Sequence, residues 1–272
     1  MNRSTPLGDL ALHAAQAAVT AIHDVQSHGK VLAEHKSGTH DLVTAADRAA
    51  ETAIFTTIAS ARPDDAFLGE ETGAHHGTSG TRWLVDPLDG TANFVHGRSD
   101  YAVSVAAEVD GRIKAGAIIR PTDGLWAMAD GDALWHGRGN ISEHLAAVDG
   151  PPPAGAGTSA LAEDVAESLV SFGLPYPKTE RQQALSIIQG LVPAVRGIRV
   201  LGSAACDLLA VALGQTDAFI GCGLAEWDTA AGQALVIAAG GTVSRLATPH
   251  FEILIAGSRP LVNELSVLVK AR

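Results

Sequence analysis

The chain has 272 residues, enough for one large domain or two smaller ones with a shared core, and 46% of its residues are apolar. Its formal net charge of -11 argues against nucleic acid or an anionic membrane surface as the main partner. The two cysteines, Cys206 and Cys222, are too few for a disulfide framework, and no signal pattern or membrane-length apolar run is present, so we expect a cytoplasmic protein with reduced, buried cysteines.

The N-terminal part of the chain predicts two helices. Apolar residues recur at three- and four-residue spacing from Leu7 to Val25, as in an amphipathic helix. A second helix is predicted from Ala46 to about Ala61. Thr44 with Asp47 three residues later fits a capping box at its start. That structural explanation accounts for both residues, and it is compatible with a catalytic role.

A short strand is predicted at Phe67 to Glu71, and its last two residues are glutamates. Adjacent side chains on a strand face opposite ways, so only one of Glu70 and Glu71 can point at a given site. A pair of glutamates at this position is often no more than a solvated strand end.

Two carboxylates follow the next apolar run. Trp83 to Val85 are predicted to end a buried strand, and Asp86 and Asp89 come next across a proline. Pro87 fixes its own φ and keeps the preceding residue out of the helical region, so both acids lie on a bent, stiff segment. Two anions held close repel each other, and a hard divalent cation with oxygen ligands relieves that repulsion.

The segment continues into a predicted helix start. Gly90 and Thr91 form its first turn, where free backbone N–H groups favour an anion such as phosphate. A cation and a phosphate would then meet within one short stretch. The alternative is a simple turn, because every residue type from Asp86 to Gly90 is common in turns except Leu88.

The middle of the chain changes to period-two alternation. From Tyr101 onward, turns at Asp110-Gly111 and Thr122 to Gly124 predict an antiparallel meander. A Pro- and Gly-rich stretch at Gly150 to Gly157 is the best boundary. We therefore predict a metal- and phosphate-binding α+β domain at 1–149 and an α/β domain at 150–272 that completes the site.

The second half predicts alternating elements. They are a helix near Leu161 to Glu167, a strand at Ser168 to Phe172, a helix from about Glu180 to Val195, a strand at Ile198 to Leu201, a helix from an N-cap at Ser203 to Gly214, a strand at Asp217 to Ile220, and a helix from Glu226 to Gly240-Gly241. Within the last helix, Asp228 is sufficiently explained as an N-cap.

Four longer patterns together resemble the signatures of the inositol monophosphatase family, which are Mg²⁺-dependent, lithium-sensitive phosphatases of small phosphate monoesters. They are Lys-x-x-x-x-Asp-Leu-Val-Thr-x-x-Asp-x-x-x-Glu from Lys36, Gly-Glu-Glu from Gly69, Trp-x-x-Asp-Pro-Leu-Asp-Gly-Thr-x-Asn-Phe from Trp83, and Trp-Asp-x-Ala-Ala-Gly from Trp227. The resemblance implies alternating helix and sheet layers, an αβαβα sandwich with mixed and antiparallel sheets. It also implies a homodimer and inhibition by Li⁺.

The same resemblance implies roles for individual residues. Two Mg²⁺ ions would be held by Glu70, Asp86, the carbonyl of Leu88, Asp89 and Asp228. Asp47 and Thr91 would activate the attacking water, with a more weakly bound third ion near Glu70. The phosphate and its alcohol would lie against Asp89, Gly90, Thr91, Gly202, Ser203 and Ala204.

The sequence departs from the family at one position that binds the alcohol. In inositol-preferring members a glutamate lies six residues ahead of the tryptophan of the Trp-Asp signature, whereas Gly221 stands here. Losing one charged hydrogen bond to a hydroxyl costs on the order of 1.5–3 kcal/mol of recognition. Glu226 is acidic and close in sequence, and it is one candidate to compensate.

The predicted function is therefore Mg²⁺-dependent hydrolysis of a small phosphate monoester, with inositol 1-phosphate as the first candidate substrate. The alternatives are the same chemistry on histidinol phosphate, fructose 1,6-bisphosphate or 3′-phosphoadenosine 5′-phosphate, or a regulatory protein without turnover. The expected partner is a small phosphorylated substrate, with no nucleic acid and no membrane.

Overall fold

A computed structural model of the chain describes residues 6–29, 33–35, 42–139, 141 and 162–270. The predicted domain boundary at 150–157 and Lys36 of the first family pattern lie outside these residues. None of the helices within the described ranges is long and apolar enough to span a bilayer.

The helices in the described ranges are α1 (Leu7–Ser27), α2 (Ala45–Ala61), α3 (Thr91–Val95), α4 (Lys178–Leu191), α5 (Ala204–Ala212), α6 (Glu226–Ala238) and α7 (Arg259–Lys270). The strands are β1 (Ala33–His35), β2 (Leu42–Thr44), β3 (Ala66–Gly69), β4 (Gly73–His75), β5 (Thr81–Asp89), β6 (Ala102–Val109), β7 (Arg112–Arg120), β8 (Leu125–Asp130), β9 (Ala133–Arg138), β10 (Leu169–Gly173), β11 (Gly197–Arg199), β12 (Ala218–Cys222), β13 (Thr242–Ala247) and β14 (Glu252–Gly257).

Two large sheets organise these elements. The first has the order β4-β3-β5-β6-β7-β8-β9, in which β3 and β5 are parallel and the other neighbours are antiparallel. The second has the order β11-β10-β12-β14-β13, in which β10 is parallel to both of its neighbours. The predicted meander is confirmed as β6 to β9, with its turns at the expected residues.

Helices cover both faces of each sheet, so the predicted αβαβα sandwich is confirmed. Helices α1 and α2 pack on one face of the seven-stranded sheet. Helices α5 and α6 fill the space between the two sheets. Helices α4 and α7 cover the outer face of the five-stranded sheet. Each layer buries the apolar face that its periodicity predicts.

Small residues let the middle layer approach the first sheet closely. A Cβ built at Gly116 of β7 would lie 2.7 Å from the Ala231 backbone, and one at Gly232 would lie 2.4 Å from Leu208. Since real Cβ atoms do not approach other heavy atoms that closely, glycine is required for α6 to pack against β7 on one side and α5 on the other. The start of α6 is thereby held against the end of β5.

Several predicted bounds are wrong. The strand expected to end at Val85 continues through Pro87 to Asp89, because a register shift between β5 and β6 accommodates the proline between Asp86 and Asp89. The strand expected to include Glu70 and Glu71 ends at Gly69, and both glutamates lie in the following turn.

The second half of the chain contains further differences. The helix expected near Leu161 to Glu167 is a single 3₁₀ turn at Val165–Glu167 among the described residues. The helix expected to reach Val195 ends at Leu191, two residues before Pro193. The strand expected at Ile198 to Leu201 is Gly197–Arg199 instead. Both cysteines are free and buried, as predicted.

Candidate active site

The end of β5 carries the two central carboxylates. Asp86 is buried, and its Oδ1 accepts a hydrogen bond from the Leu88 N–H at 3.0 Å, which folds the backbone around the proline. Gly90 then has a φ of 93°, and a Cβ there would meet the Asp100 carbonyl at 2.9 Å. Glycine is thus required at the point where the strand turns into α3.

Asp89 connects the end of β5 to the start of α5. Its Oδ2 accepts hydrogen bonds from the Ser203 hydroxyl at 2.8 Å and from the Ala205 N–H at 2.5 Å. Ser203 is the N-cap of α5, as predicted, and its Oγ also accepts from the Cys206 N–H at 3.1 Å. The structure therefore brings Asp89 and the predicted alcohol-binding segment at 202–204 together, although they are more than 110 residues apart in sequence.

Asp47 and Thr91 are in direct contact. The Thr91 hydroxyl lies 2.9 Å from Asp47 Oδ1 and 3.1 Å from the Leu88 carbonyl oxygen. Asp47 Oδ2 accepts from both the N–H and the hydroxyl of Thr44, so the predicted capping box is also confirmed. Burial raises the pKa of Asp47, and the hydrogen bonds from the two threonines offset part of that effect.

Glu51 is a residue whose position the sequence reasoning did not foresee. It lies one helical turn after Asp47 on α2 and is buried. Its carboxylate accepts hydrogen bonds from the Glu71 N–H at 2.9 Å and the Thr72 N–H at 2.7 Å, which fixes the turn that carries Glu70. The spacing of four residues between two acids on one helix was the available signal.

Asp228 approaches from α6. It is the third residue of that helix, and its carboxylate accepts a hydrogen bond from the Ala225 N–H at 2.7 Å. The N-cap position itself belongs to Ala225, so the prediction that Asp228 is the N-cap is wrong by three residues. The acid still stabilises the helix start by reaching back to it.

These side chains line one cavity of about 290 Å³ between the two sheets. Its polar end contains Glu70, Asp86, Leu88, Asp89, Gly90, Thr91, Gly202, Ser203, Ala204 and Asp228. Asp47 lies behind Thr91, at the other end of the hydrogen bond between them.

The carboxylates that line the described part of this cavity raise one another's pKa. Burial, followed by the charges of Glu70, Asp89 and Asp228, raises the pKa of Asp86 well above its usual value. Burial also raises the pKa of Asp89 to about 7, although the hydrogen bonds from Ala205 and Ser203 oppose this rise. Carboxylates that destabilise one another in this way match the oxygen ligands preferred by Mg²⁺.

The carboxylates are not yet arranged as a ligand set. Among the described residues, no three His, Cys, Asp or Glu side chains form a ready-made cluster that could hold a metal ion. The hydrogen bonds explain the arrangement, because Asp89 turns towards Ser203 and Asp228 towards Ala225. The donor set therefore fits a hard cation in its chemistry, with side-chain rotations needed to converge on one.

Glu226 does not take the place of the missing glutamate. It is exposed and forms an ion pair with Arg82 at 2.5 Å. Arg82 also forms an ion pair with Glu108. This position is outside the set of side chains that line the acidic cavity. The possibility that Glu226 compensates for Gly221 is therefore not supported by its contacts.

A larger cavity of about 670 Å³ lies elsewhere, between α4, α7 and the turn that joins β13 to β14. No carboxylate is among the described residues that line it. It thus lacks the oxygen ligands that phosphoryl chemistry with Mg²⁺ requires.

Comparison with known proteins identifies the family. The inositol monophosphatase family matches residues 5–270. An inositol-1-monophosphatase from Mesorhizobium japonicum is 40% identical over 212 residues, which cover 76% of this chain and 73% of the relative. Nus factor SuhB from Pseudomonas aeruginosa is 35% identical over 251 residues, which cover 90% of this chain and 87% of the relative.

Solved structures agree with these sequence matches. The extragenic suppressor protein SuhB from Bartonella henselae superposes with a TM-score of 0.81 at 32% identity, covering 96% of this chain and 97% of the other. Inositol monophosphatase from Anabaena gives a TM-score of 0.78 at 26% identity, with 97% and 95% covered. The chain belongs to the inositol monophosphatase family.

Proposed function

We propose that this member of the family hydrolyses a small phosphate monoester in a Mg²⁺-dependent reaction. The observation that carries the proposal is the buried Asp47–Thr91 hydrogen bond beside a cavity lined by four carboxylates. A site that only bound a phosphate ester would have no need of such a proton-accepting pair. The family membership supports the same conclusion, since it implies a phosphatase.

The proposed ligands for two Mg²⁺ ions are Glu70, Asp86, the Leu88 carbonyl, Asp89 and Asp228. Bound Mg²⁺ would neutralise charge on the phosphoryl and leaving oxygens and lower the pKa of a coordinated water. The carboxylates themselves would hold the cations and repel any other anion that lacks a compensating charge.

The proposed role of Asp47 is to take up a proton through Thr91. A threonine hydroxyl has one hydrogen and two lone pairs, so while it donates to Asp47 it can accept a hydrogen bond from a water in the cavity. Burial of the Asp47 side chain raises the pKa of Asp47, which makes that carboxylate a better base than an exposed aspartate. Thr91 would thus orient the water, and Asp47 would hold the proton removed from it.

The phosphate is proposed to lie at the polar end of the cavity, against the N–H groups of Gly90 and Thr91. The alcohol would extend past Gly202, Ser203 and Ala204. Inositol 1-phosphate is the first candidate, supported by the relative named as an inositol-1-monophosphatase. Histidinol phosphate, fructose 1,6-bisphosphate and 3′-phosphoadenosine 5′-phosphate are the alternatives.

The relatives named Nus factor SuhB motivate a second candidate, a regulatory role without turnover. The intact Asp47–Thr91 contact favours catalysis over this candidate. We also propose the division into domains 1–149 and 150–272. We further propose assembly as a homodimer, which light scattering of the purified protein would test.

The deciding experiment measures phosphate release from the four candidate esters with and without Mg²⁺, for the wild type and Asp86→Asn. We expect Mg²⁺-dependent release that Asp86→Asn abolishes. Asp132→Asn is a matched control, because Asp132 is an exposed aspartate in the turn after β8. Absence of release from every ester would favour the regulatory role.

A further inference from the structure

The acidic cavity has a second end with a different character. Opposite the carboxylates it is lined by Leu174, Tyr176, Val200 and Leu224, whereas the Phe172 side chain packs in the core on the outer face of the five-stranded sheet. Four apolar or aromatic side chains thus lie around the place where the alcohol of a bound ester would be. A polyol would leave most of its hydroxyl groups facing carbon atoms there.

Two of these side chains are exposed to an unusual degree for large apolar groups. Tyr176 is 57% exposed and Val200 is 51% exposed, and both lie at the mouth of the cavity. Exposed apolar groups gathered at the mouth of a cavity mark a surface that a ligand covers.

Leu224 forms the floor of this end because two glycines make room for it. Gly173 of β10 and Gly221 of β12 are paired directly across the sheet. A Cβ at Gly221 would lie 2.6 Å from Leu224 Cδ1, and one at Gly173 would lie 3.1 Å from the same atom. The absence of side chains at both positions therefore lets the leucine lie over the two strands and face the cavity.

Arg181 lines the described part of the cavity, and its guanidinium is hydrogen-bonded to the cavity wall. The Arg181 guanidinium donates to the main-chain carbonyls of Pro175 and Tyr176, at 3.2 Å each. These bonds hold the segment that carries Tyr176 against the mouth. The aromatic ring is thereby kept in position before a substrate arrives.

We propose that the alcohol end of the site recognises an apolar or aromatic body, and that Leu224, Val200 and Tyr176 determine this specificity. The proposal rests on the phosphatase function proposed above. Its substrate class is a phosphate monoester whose alcohol carries one reactive oxygen and few or no other hydroxyl groups. Covering the exposed ring and the valine would favour such a body, whereas a polyol would lose water from its hydroxyls without finding partners.

The test compares kcat/KM for 2-phenylethyl phosphate and inositol 1-phosphate in the presence of Mg²⁺. Inositol, with its electron-withdrawing neighbouring hydroxyl groups, is the better leaving group of the two, so a preference for the phenylethyl ester would report recognition of the body and not the reactivity of the leaving group. We expect the phenylethyl ester to be favoured by about tenfold or more, the usual scale for apolar discrimination. An equal or higher value for the inositol ester would overturn the inference and leave the phosphatase function standing.

Substitutions test which side chains determine the ratio of the two kcat/KM values. Leu224→Asn and Val200→Thr keep the approximate shape but add polar atoms, and each is expected to lower the ratio, by about tenfold for Leu224→Asn. Leu185→Asn and Val267→Thr are matched controls, because Leu185 and Val267 are exposed on α4 and α7 and do not line the cavity. An unchanged ratio in both site variants would overturn the assignment.

A binding measurement separates the two proposals if neither ester is hydrolysed. Calorimetric titration of the Mg²⁺-loaded protein with each ester gives the affinity ratio without turnover. Tighter binding of the phenylethyl ester would support the apolar specificity even though the proposed reaction had failed. No preference in that titration would overturn the specificity as well.

Discussion

Asp47 and Glu51 lie one turn apart on α2, and their buried carboxylates fix two different parts of the site. Asp47 accepts the hydrogen bond from Thr91 at the end of β5. Glu51 accepts two backbone N–H groups from the turn that carries Glu70. One helix thus sets both the proposed proton acceptor and the position of a proposed metal ligand.

Removing the Asp47–Thr91 contact should slow turnover more than it weakens metal binding. For Asp47→Asn and Thr91→Ala we expect kcat to fall by roughly 10²- to 10⁴-fold, the usual contribution of general acid–base catalysis. Mg²⁺ affinity should stay within a few-fold of wild type, since neither side chain is among the proposed ligands. Steady-state kinetics and a Mg²⁺ titration measure the two effects separately.

Thr52→Ala is a suitable control for Thr91→Ala, because the Thr52 hydroxyl is exposed on α2 and bonds only to the Arg48 carbonyl among the described residues. A wild-type kcat in Thr91→Ala or Asp47→Asn would contradict the assignment.

Glu51→Gln should weaken Mg²⁺ binding even though Glu51 is not a proposed ligand. An amide presents one acceptor oxygen where the carboxylate has two, so one of the two N–H groups loses its partner. We expect a loss of about 1–3 kcal/mol in the free energy of unfolding and weaker Mg²⁺ binding, measured by urea denaturation and calorimetry.

Gly69→Ala offers an independent approach to the same contact, because its Cβ would lie 2.5 Å from the Glu51 carboxyl group. It should reproduce both effects, while Glu264→Gln on the exposed face of α7 should show neither. Unaltered Mg²⁺ affinity in both Glu51→Gln and Gly69→Ala would refute the positioning role.

Asp86→Asn should have opposite effects on activity and on the stability of the metal-free protein. It removes one of four carboxylates that repel one another in a buried cavity. Mg²⁺-dependent phosphate release should disappear, while the free energy of unfolding in the presence of a chelator should rise. Chemical denaturation with a chelator present checks the second effect, and a fall in stability would contradict the proposed repulsion.

Asp207 should make the protein less stable as the pH rises. It is fully buried on α5, and burial raises its pKa to about 8, with the Ser171 hydroxyl offsetting only part of the effect. Neither carboxyl oxygen has a hydrogen-bond partner of normal geometry among the described residues. The folded protein therefore keeps a proton that the unfolded chain releases near pH 4.

The native state binds more protons than the unfolded state between about pH 4 and pH 8, so stability falls with rising pH in that window. One such group contributes at most about 1.4 kcal/mol per pH unit. Asp207→Asn should remove this contribution, so its stability advantage over wild type should grow from pH 5 to pH 8 in urea denaturation. An advantage that does not change with pH would contradict the buried protonated state.

Local signals predicted much of the fold and of the candidate site. Capping at Thr44 and Ser203 and the turn at Asp110-Gly111 depend on residues within four positions of one another, and the structure contains them. The layered fold followed from the family resemblance. The extension of β5 through Pro87 was not predictable in the same way, because it depends on a register shift against β6.

Long-range contacts account for the rest of what was missed. Glu51 is recognisable only once the turn after β3 is seen to lie against α2. Leu224 acquires its position from a glycine pair on two parallel strands nearly 50 residues apart. The spacing of Asp47 and Glu51 places both acids on one face of α2, but nothing local in the sequence shows which turn Glu51 binds or that the two glycines are paired.

The position of the cavity between the two sheets has a consequence for how the protein is made. The ribosome delivers Asp47, Glu70, Asp86 and Asp89 first, whereas Ser203 and Asp228 emerge only with α5 and α6. A nascent chain that stops before α5 therefore carries crowded acids without the hydroxyl and N–H groups that Asp89 binds, and one that stops before α6 still lacks Asp228. Competence for the proposed reaction should arise late and abruptly during synthesis, when the sixth helix leaves the exit tunnel and closes against the first sheet.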